Sequence, residues 1–330
     1  LHSTDVVAPD GVPEPYTARD FAVLPPLADP AERAITADQT HRSVIVGERL
    51  VVKWFTPPAP PPHRALAVLE QLALAGFTGT ARPYRAVFAP DGALVALVTA
   101  YLPEARDGWE WCVDAAVAGE PVGRLLGTLT ADLHRALATA TPAHPAPVVE
   151  GELVRLPDAL AALDEALART GDPWLRSRAH RLRADLLDPP DPLRTPLMRI
   201  HGDLHAGQIL RWRGGHAVID FDGNPVLAGS GGGRPAADLL PAARDVAQLL
   251  TSLEHVGQVA RERRGHDATG WVAAARADFL AAYGAPEFFD ERLVRAFSIE
   301  QECRELIYAA RFLPRWRYAP LGVLRSWYDH

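Results

Sequence analysis

The sequence predicts an α+β protein with a small β-rich amino-terminal lobe, residues 1–102, and a large helical lobe, residues 103–330. Three observations carry this. Runs of β-branched residues cluster before Leu102. After Pro103, leucine and alanine recur at spacings of three and four. A single β interlude, Leu197 to Phe221, interrupts the helices.

Taken in chain order, residues 1–15 read as a loose leader with little pattern. Arg42–Val46 and Arg49–Phe55 flank Gly47-Glu48 and predict a hairpin; Pro83–Ala89 and Ala93–Tyr101 predict a second one around Pro90-Asp91-Gly92. The proline run Pro57–Pro62 is expected to stop the strand before it and lead into a helix over His63–Ala75. Helices are predicted over Val122–Ala138, Leu156–Arg169 and Trp174–Leu187, broken by proline-rich segments. Leu197–Ile200, Gln208–Trp212 and His216–Phe221 predict short strands, and Gly229–Pro235 a glycine-rich loop. Helices resume over Leu239–Val256, Gly270–Tyr283 and Asp290–Leu313.

The net charge of −7, without a dense basic tract, argues against a nucleic-acid partner. The longest apolar run, Ala93–Leu102, is too short to span a bilayer, and the first residues lack a hydrophobic signal core. A cytoplasmic chain is the expectation; oligomeric state has no signal here. Cys112 and Cys303 lie far apart and match no ligand spacing. Lys53 is the single lysine, every other member of the 34 Lys and Arg residues being arginine. A compact ammonium is not interchangeable with a guanidinium, so Lys53 is either a functional residue or a chance survivor on a strand.

The strongest chemical signal is His201-Gly202-Asp203-Leu204-His205-Ala206-Gly207-Gln208, followed by Asp220-Phe221-Asp222. Phosphoryl transfer from ATP needs one carboxylate to accept the attacking hydroxyl's proton and oxygen ligands to hold Mg²⁺ on the phosphates. Asp203 as base, with Gln208 and Asp220 as oxygen ligands, meets that need. His201, Asp203 and His205 also read as a zinc ligand set, for which no further ligand cluster is evident. An ordinary polar loop is the third reading.

His201–Gln208 together with Val218–Pro225 resembles the aminoglycoside-phosphotransferase-like kinases, maltokinases among them, over most of the chain. A second run, Gln301 to Trp316, closely resembles the carboxy-terminal signature of actinobacterial glucosamine kinases. The resemblance implies a bilobal protein-kinase-like fold, ATP and Mg²⁺ as cofactors, and phosphorylation of an amino sugar, glucosamine to glucosamine 6-phosphate. It implies Asp203 as base and Gln208, Asp220 and Asp222 as metal ligands. Lys53 would contact ATP phosphates, with Glu70 orienting it, and Ala100, Tyr101 and Leu102 would form an interlobe hinge whose backbone reads adenine. Asp245 would brace the catalytic loop. The turn near Ala37–Ser43 departs from kinase practice in having no glycine.

At 100° per residue, Cys303, Leu306, Ile307, Ala310 and Leu313 fall on one apolar face of the last predicted helix. Gln301, Glu305, Tyr308 and Phe312 lie opposite, with Arg304, Arg311 and Arg315 on one flank and Glu302 on the other. With Asp203, the expected acceptor-binding residues are Gln301, Glu302, Glu305, Tyr308, Arg311 and Trp316. His134 is read as a packed core histidine. A maltokinase or an aminoglycoside phosphotransferase is the alternative within the fold, and a maltokinase's extra amino-terminal cap would not fit in full. An inactive nucleotide-binding module is the alternative of another class; Lys53, Asp203, Gln208 and Asp220 together speak against it.

Overall fold

The computed structural model describes residues 1–35, 42–223 and 239–329. The glycine-rich run Gly229–Pro235, and residues 37–41 of the turn expected near Ala37–Ser43, lie outside the described residues. The chain divides into two compact units: Leu1–Arg106 with Ile209–Gly223, and Asp107–Gln208 with Asn224–His330. The break falls at Arg106/Asp107, and Ile209–Gly223, expected with the helical part, groups with the β-rich unit.

The first unit is built on a six-stranded antiparallel sheet. Its order is β1 (Thr17–Asp20), β5 (Pro83–Phe88), β6 (Leu94–Ala100), β4 (Leu50–Ala59), β3 (Ser43–Val46) and β2 (Glu32–Ala34). Period-two alternation decides which face packs: Leu50 and Val52 are fully buried while Val51 and Lys53 on the other face are half-buried. Val6 from α1 (Ser3–Val6) joins Val44, Val46, Leu50, Val52, Val87, Ala96 and Val98 in this core. β4 continues through Pro57 and Pro58 to Ala59, with a register shift between Trp54 and Ala59. The expected stop fails because a proline that lacks an N–H still fits an extended backbone at such an irregularity. α2 (Arg64–Leu74) follows. The hairpin of β9 (Ile209–Trp212) and β10 (Gly215–Val218) is tied to this unit by backbone bonds. Val218 N–H donates to Gly79 (2.8 Å), Arg106 and Arg211 exchange bonds (2.8 and 3.2 Å), and Arg213 N–H donates to Pro103 (3.1 Å).

The second unit runs α3 (Gly108–Ala118), α4 (Gly123–Leu137), β7 (Val148–Leu153), α5 (Leu156–Thr170), α6 (Pro173–Leu186), β8 (Leu193–Met198) and a 3₁₀ turn, Ala206–Gln208. It continues with α7 (Ala243–Arg264), α8 (Thr269–Tyr283), α9 (Val294–Phe312) and α10 (Tyr318–Tyr328). Apolar side chains of α5, α6, α9 and α10 form one core, including Leu163, Leu182, Ile299, Leu306 and Leu324. α7 is the central helix and packs against α3, α8, α9 and α10. It buries polar as well as apolar residues: Asp245, Gln248, Ser252, Glu254 and His255 are all buried. Among the described residues, no helix is long and apolar enough to cross a membrane.

α4 and α8 pack backbone to backbone because α4 presents Gly123 and Gly127 one turn apart. A Cβ at Gly127 would lie 2.3 Å from the Phe279 carbonyl oxygen, far inside van der Waals contact. Gly127→Ala gains about 1 kcal/mol of helix propensity but forces the helices apart, and overpacking of this kind costs about 1–3 kcal/mol. We expect a lower melting temperature by calorimetry; an unchanged or raised value would show that this contact does not limit stability.

Candidate active site

In the first unit, alternation along β4 turns Lys53 away from the hydrophobic core. Its Nζ donates to Asp220 Oδ1 at 3.0 Å and Asp222 Oδ2 at 2.6 Å, and lies 5.4 Å from the Phe55 ring centroid. Burial works against the lysine's charge, yet the two carboxylates outweigh it and hold its pKa above the ordinary value. The backbone presents these carboxylates in an unusual way. Asp220 sits at φ +65°, a left-handed conformation that aspartate tolerates better than most residues. Arg64 Nη1 donates to the Phe221 carbonyl at 2.9 Å and fixes the turn between them.

Other expected nucleotide residues are placed differently. Glu70 forms its ion pair with Arg19, across from α2 on β1, so Lys53 is oriented by Asp220 and Asp222 instead. Ala100 N–H donates to Arg82 and Tyr101 N–H to Arg49, both at 2.8 Å, because the pairing of β6 with the strands on either side continues through these residues. These two amides are therefore committed within the unit. Leu102 is buried just beyond them.

In the second unit, the loop His201–Gln208 hangs on one face of α7. Asp245 accepts the N–H of His201 (2.7 Å) and of Gly202 (2.8 Å). Gly202 has φ +83°, where an L side chain is strained, and this bend turns two successive N–H groups towards one carboxylate. His134 Nε2 donates to Asp245 at 3.1 Å, and its Nδ1 lies 2.8 Å from Tyr283 Oη. Burial opposes the Asp245 charge, but the hydrogen bond from His134, the nearby His201 ring and the Gly202 N–H together hold its pKa below the usual aspartate value.

Asp203 follows on this frame. Its Oδ1 accepts from Gln248 Nε2 at 2.6 Å, and its Oδ2 lies 3.9 Å from His205 Nε2. Ala206 N–H donates to Ser252 Oγ at 2.8 Å, one further turn along α7. The amide of Gln208 lies 3.4 Å from His205 Nε2. The zinc reading is not supported: His201 and His205 use their Nδ1 atoms to accept loop N–H groups at 3.2 and 3.1 Å. Among the described residues no group of three or more His, Cys, Asp or Glu is arranged to hold a metal ion.

Beside the loop, α9 contributes a polar cluster. Glu305 accepts from Gln301 Nε2 (3.1 Å) and Trp316 Nε1 (3.0 Å). Trp316 also meets Trp109 and His255 edge-on, at centroid distances of 5.9 and 5.5 Å, and Trp109 stacks on His205 at 5.8 Å. Gly207 permits that stack, since a Cβ there would lie 2.8 Å from Trp109 Nε1. Glu302 departs from expectation. It is fully buried, with Oε2 2.9 Å from His255 Nε2 and Oε1 without a hydrogen-bond partner among the described residues. The buried arc of α9 is rotated towards Glu302 because α7 covers that flank while α5 covers the other. Burial, reinforced by Glu305 and Glu254, pushes the Glu302 pKa well up; burial pushes that of His255 down. Both shifts favour neutral forms.

Tyr308 and Arg311 point elsewhere: Tyr308 is exposed and packs on Phe312 (5.4 Å), while Arg311 pairs with Glu165 of α5. The face opposite the apolar one thus divides into a clustered half, Gln301 and Glu305, and an exposed half, Tyr308 and Phe312. Sequence reasoning missed Gln248, Ser252 and His255, although Asp245, Gln248, Ser252 and His255 stand at spacings of three, four and three. A polar stripe of helical period inside an otherwise apolar helix was the available signal.

Comparison with known proteins follows this geometry. Residues 32–223 match the phosphotransferase enzyme family. The chain is 42% identical to a glucosamine kinase of Streptacidiphilus jiangxiensis, spanning 88% of this chain and 72% of that protein. It is 38% identical to a glucosamine kinase of Mycolicibacterium smegmatis, spanning 90% and 80%. A solved glucosamine kinase in complex with glucosamine, ADP and inorganic phosphate superposes with a TM-score of 0.80 at 35% identity, over 98% of this chain and 81% of that one.

The Asp245 carboxylate makes stability depend on pH. Its depressed folded pKa makes its stabilisation complete above the unfolded value of about 3.9 and lost as pH falls through the folded value. Wild-type melting temperature should therefore drop more steeply below about pH 4 than that of Asp245→Asn, while Asp245→Ala should cost about 3–5 kcal/mol at neutral pH. Parallel acid profiles for wild type and Asp245→Asn would show that this carboxylate is not the acid-sensitive contact.

Proposed function

The chain belongs to the phosphotransferase enzyme family, and from that membership we propose that it transfers the γ-phosphoryl group of ATP to the 6-hydroxyl of glucosamine, with Mg²⁺ as its metal. One observation carries the reading: the only lysine of the chain holds both carboxylates of the Asp220–Asp222 segment at 3.0 and 2.6 Å. Two carboxylates converging on one cationic centre are a hard-oxygen donor set of the kind Mg²⁺ takes. Asp220 and Asp222 would hold the metal. When bound, it neutralises charge on the phosphate oxygens during transfer. Lys53 then turns its ammonium to a phosphate oxygen.

Asp203 is the base in this reading. Its carboxylate orients the acceptor hydroxyl and takes its proton as the oxygen attacks phosphorus. For the acceptor, Glu305 offers a carboxylate beside the Trp316 ring, suited to an ammonium on a sugar. Glu302 is the weaker candidate because burial disfavours its charged form. The likeness to glucosamine kinases supports the same acceptor.

Two measurements check this. Asp203→Asn should lower kcat by about 10²–10⁴-fold with ATP binding retained; near-normal turnover would remove Asp203 from the chemistry. Glucosamine should exceed glucose in kcat/KM by about 1.5–3.5 orders of magnitude, since glucose leaves a carboxylate unpaired at a cost of roughly 2–5 kcal/mol. Glu305→Gln should narrow that ratio more than Glu302→Gln, and N-acetylglucosamine should not react. A wild-type ratio near one would defeat the amino-sugar reading, and a ratio unmoved by Glu305→Gln would place ammonium recognition elsewhere.

A further inference from the structure

α7 is more than a support for the catalytic loop. Asp245 and Ser252 accept backbone N–H groups on either side of Asp203, at His201, Gly202 and Ala206. Between them, Gln248 touches the Asp203 side chain itself, Nε2 to Oδ1 at 2.6 Å. A carboxylate only accepts, so the amide nitrogen must face it. Gln248 is 6% exposed, and the Asp203 side chain 23% exposed.

We propose that Gln248 is the positioning residue of the base: its amide fixes the plane of the Asp203 carboxylate so that the proton-accepting lone pair meets the acceptor hydroxyl. This rests on Asp203 being the base. The last torsion of aspartate is broad and roughly two-fold, so backbone anchoring at His201, Gly202 and Ala206 does not set the direction of its oxygens. A hydrogen bond to one oxygen does. A neutral amide is suited to the task, because it orients the carboxylate without adding the positive charge that Lys or Arg would place against a base. Helical spacing makes the arrangement rigid, since Gln248 stands one turn from Asp245, which holds the loop on which Asp203 rides.

The test compares Gln248→Met, which keeps length and removes the donor, with Gln248→Ala, each in wild-type and Asp203→Asn backgrounds. Gln248→Met should lower kcat about 10–100-fold, the scale of a base displaced by up to an ångström, with the KM of both substrates and the melting temperature little changed. In the Asp203→Asn background the same change should alter the residual rate less than about three-fold, because the two residues act as one unit. Should Gln248→Ala fail to fold, Gln248→Met decides alone. A loss of less than about five-fold in kcat, or a loss repeated in full in Asp203→Asn, overturns the proposal. If Asp203→Asn is itself active, the base assignment has failed; if it is inactive while Gln248→Met is fully active, only the role of Gln248 has failed.

Discussion

The carboxylate of Asp245 accepts the N–H groups of His201 and Gly202 and the ring N–H of His134, all inside a fully buried site. One charge thereby joins the His201–Gln208 loop to α7 and α4, and through His134 and Tyr283 to α8. Such a buried charge is tolerated only while its acceptor sites are filled. The polar arrangement around it is correspondingly unforgiving. Gly202 must bend to φ +83° to offer its N–H, and His134 must keep the tautomer that donates from Nε2. The remaining contacts follow the pitch of α7: Gln248 reaches Asp203 about one turn later, Ser252 meets Ala206 after another, and His255 stands beside Glu302 and Trp316. A helix rises 1.5 Å per residue with little freedom, so a single element spaces Asp203 and the cluster of Glu302, Glu305 and Trp316.

In the β-rich unit the corresponding constraint is the pairing of Lys53 with Asp220 and Asp222. Lysine suits this place because an ammonium is a point charge with three rotatable donors, able to serve two carboxylates that arrive from one turn. A planar guanidinium would need them arranged for a fork. The grouping of Ile209–Gly223 with the sheet explains how this pair forms: bonds at Gly79, Pro103 and Arg106 carry the β9–β10 hairpin, and the turn after β10 delivers Asp220. The chain passes directly from Gln208 in the helical unit to Ile209 in the β-rich one.

Much of this was legible in the residues. The two large hairpins, the long helices, the His201–Gln208 loop and the isolated lysine all announced themselves through alternation, helical spacing or composition. What escaped has physical reasons. β1 and β2 are four and three residues long and exposed throughout, so they show no apolar alternation. α3 is built from Trp, Cys, Val and Ala without the leucine repeat that marks its neighbours, and α10 begins after Pro314, a residue that reads as an end. Glu302 looked like a flank residue because a helical wheel shows one helix and not the two that bury it. Glu70 and Lys53 share a strand–helix neighbourhood in sequence, but Arg19 on β1 claims the glutamate and Asp220, far along the chain, claims the lysine. Long-range ion pairs of this kind leave no local trace.

The central claim, an ATP-dependent transfer to the 6-hydroxyl of glucosamine, is met most directly by ³¹P NMR of the product formed from the purified chain, ATP, Mg²⁺ and glucosamine. The expected result is a phosphomonoester resonance split by the two protons on C6, appearing in step with ADP. Transfer to another hydroxyl, or ADP and inorganic phosphate without a sugar phosphate, would contradict it.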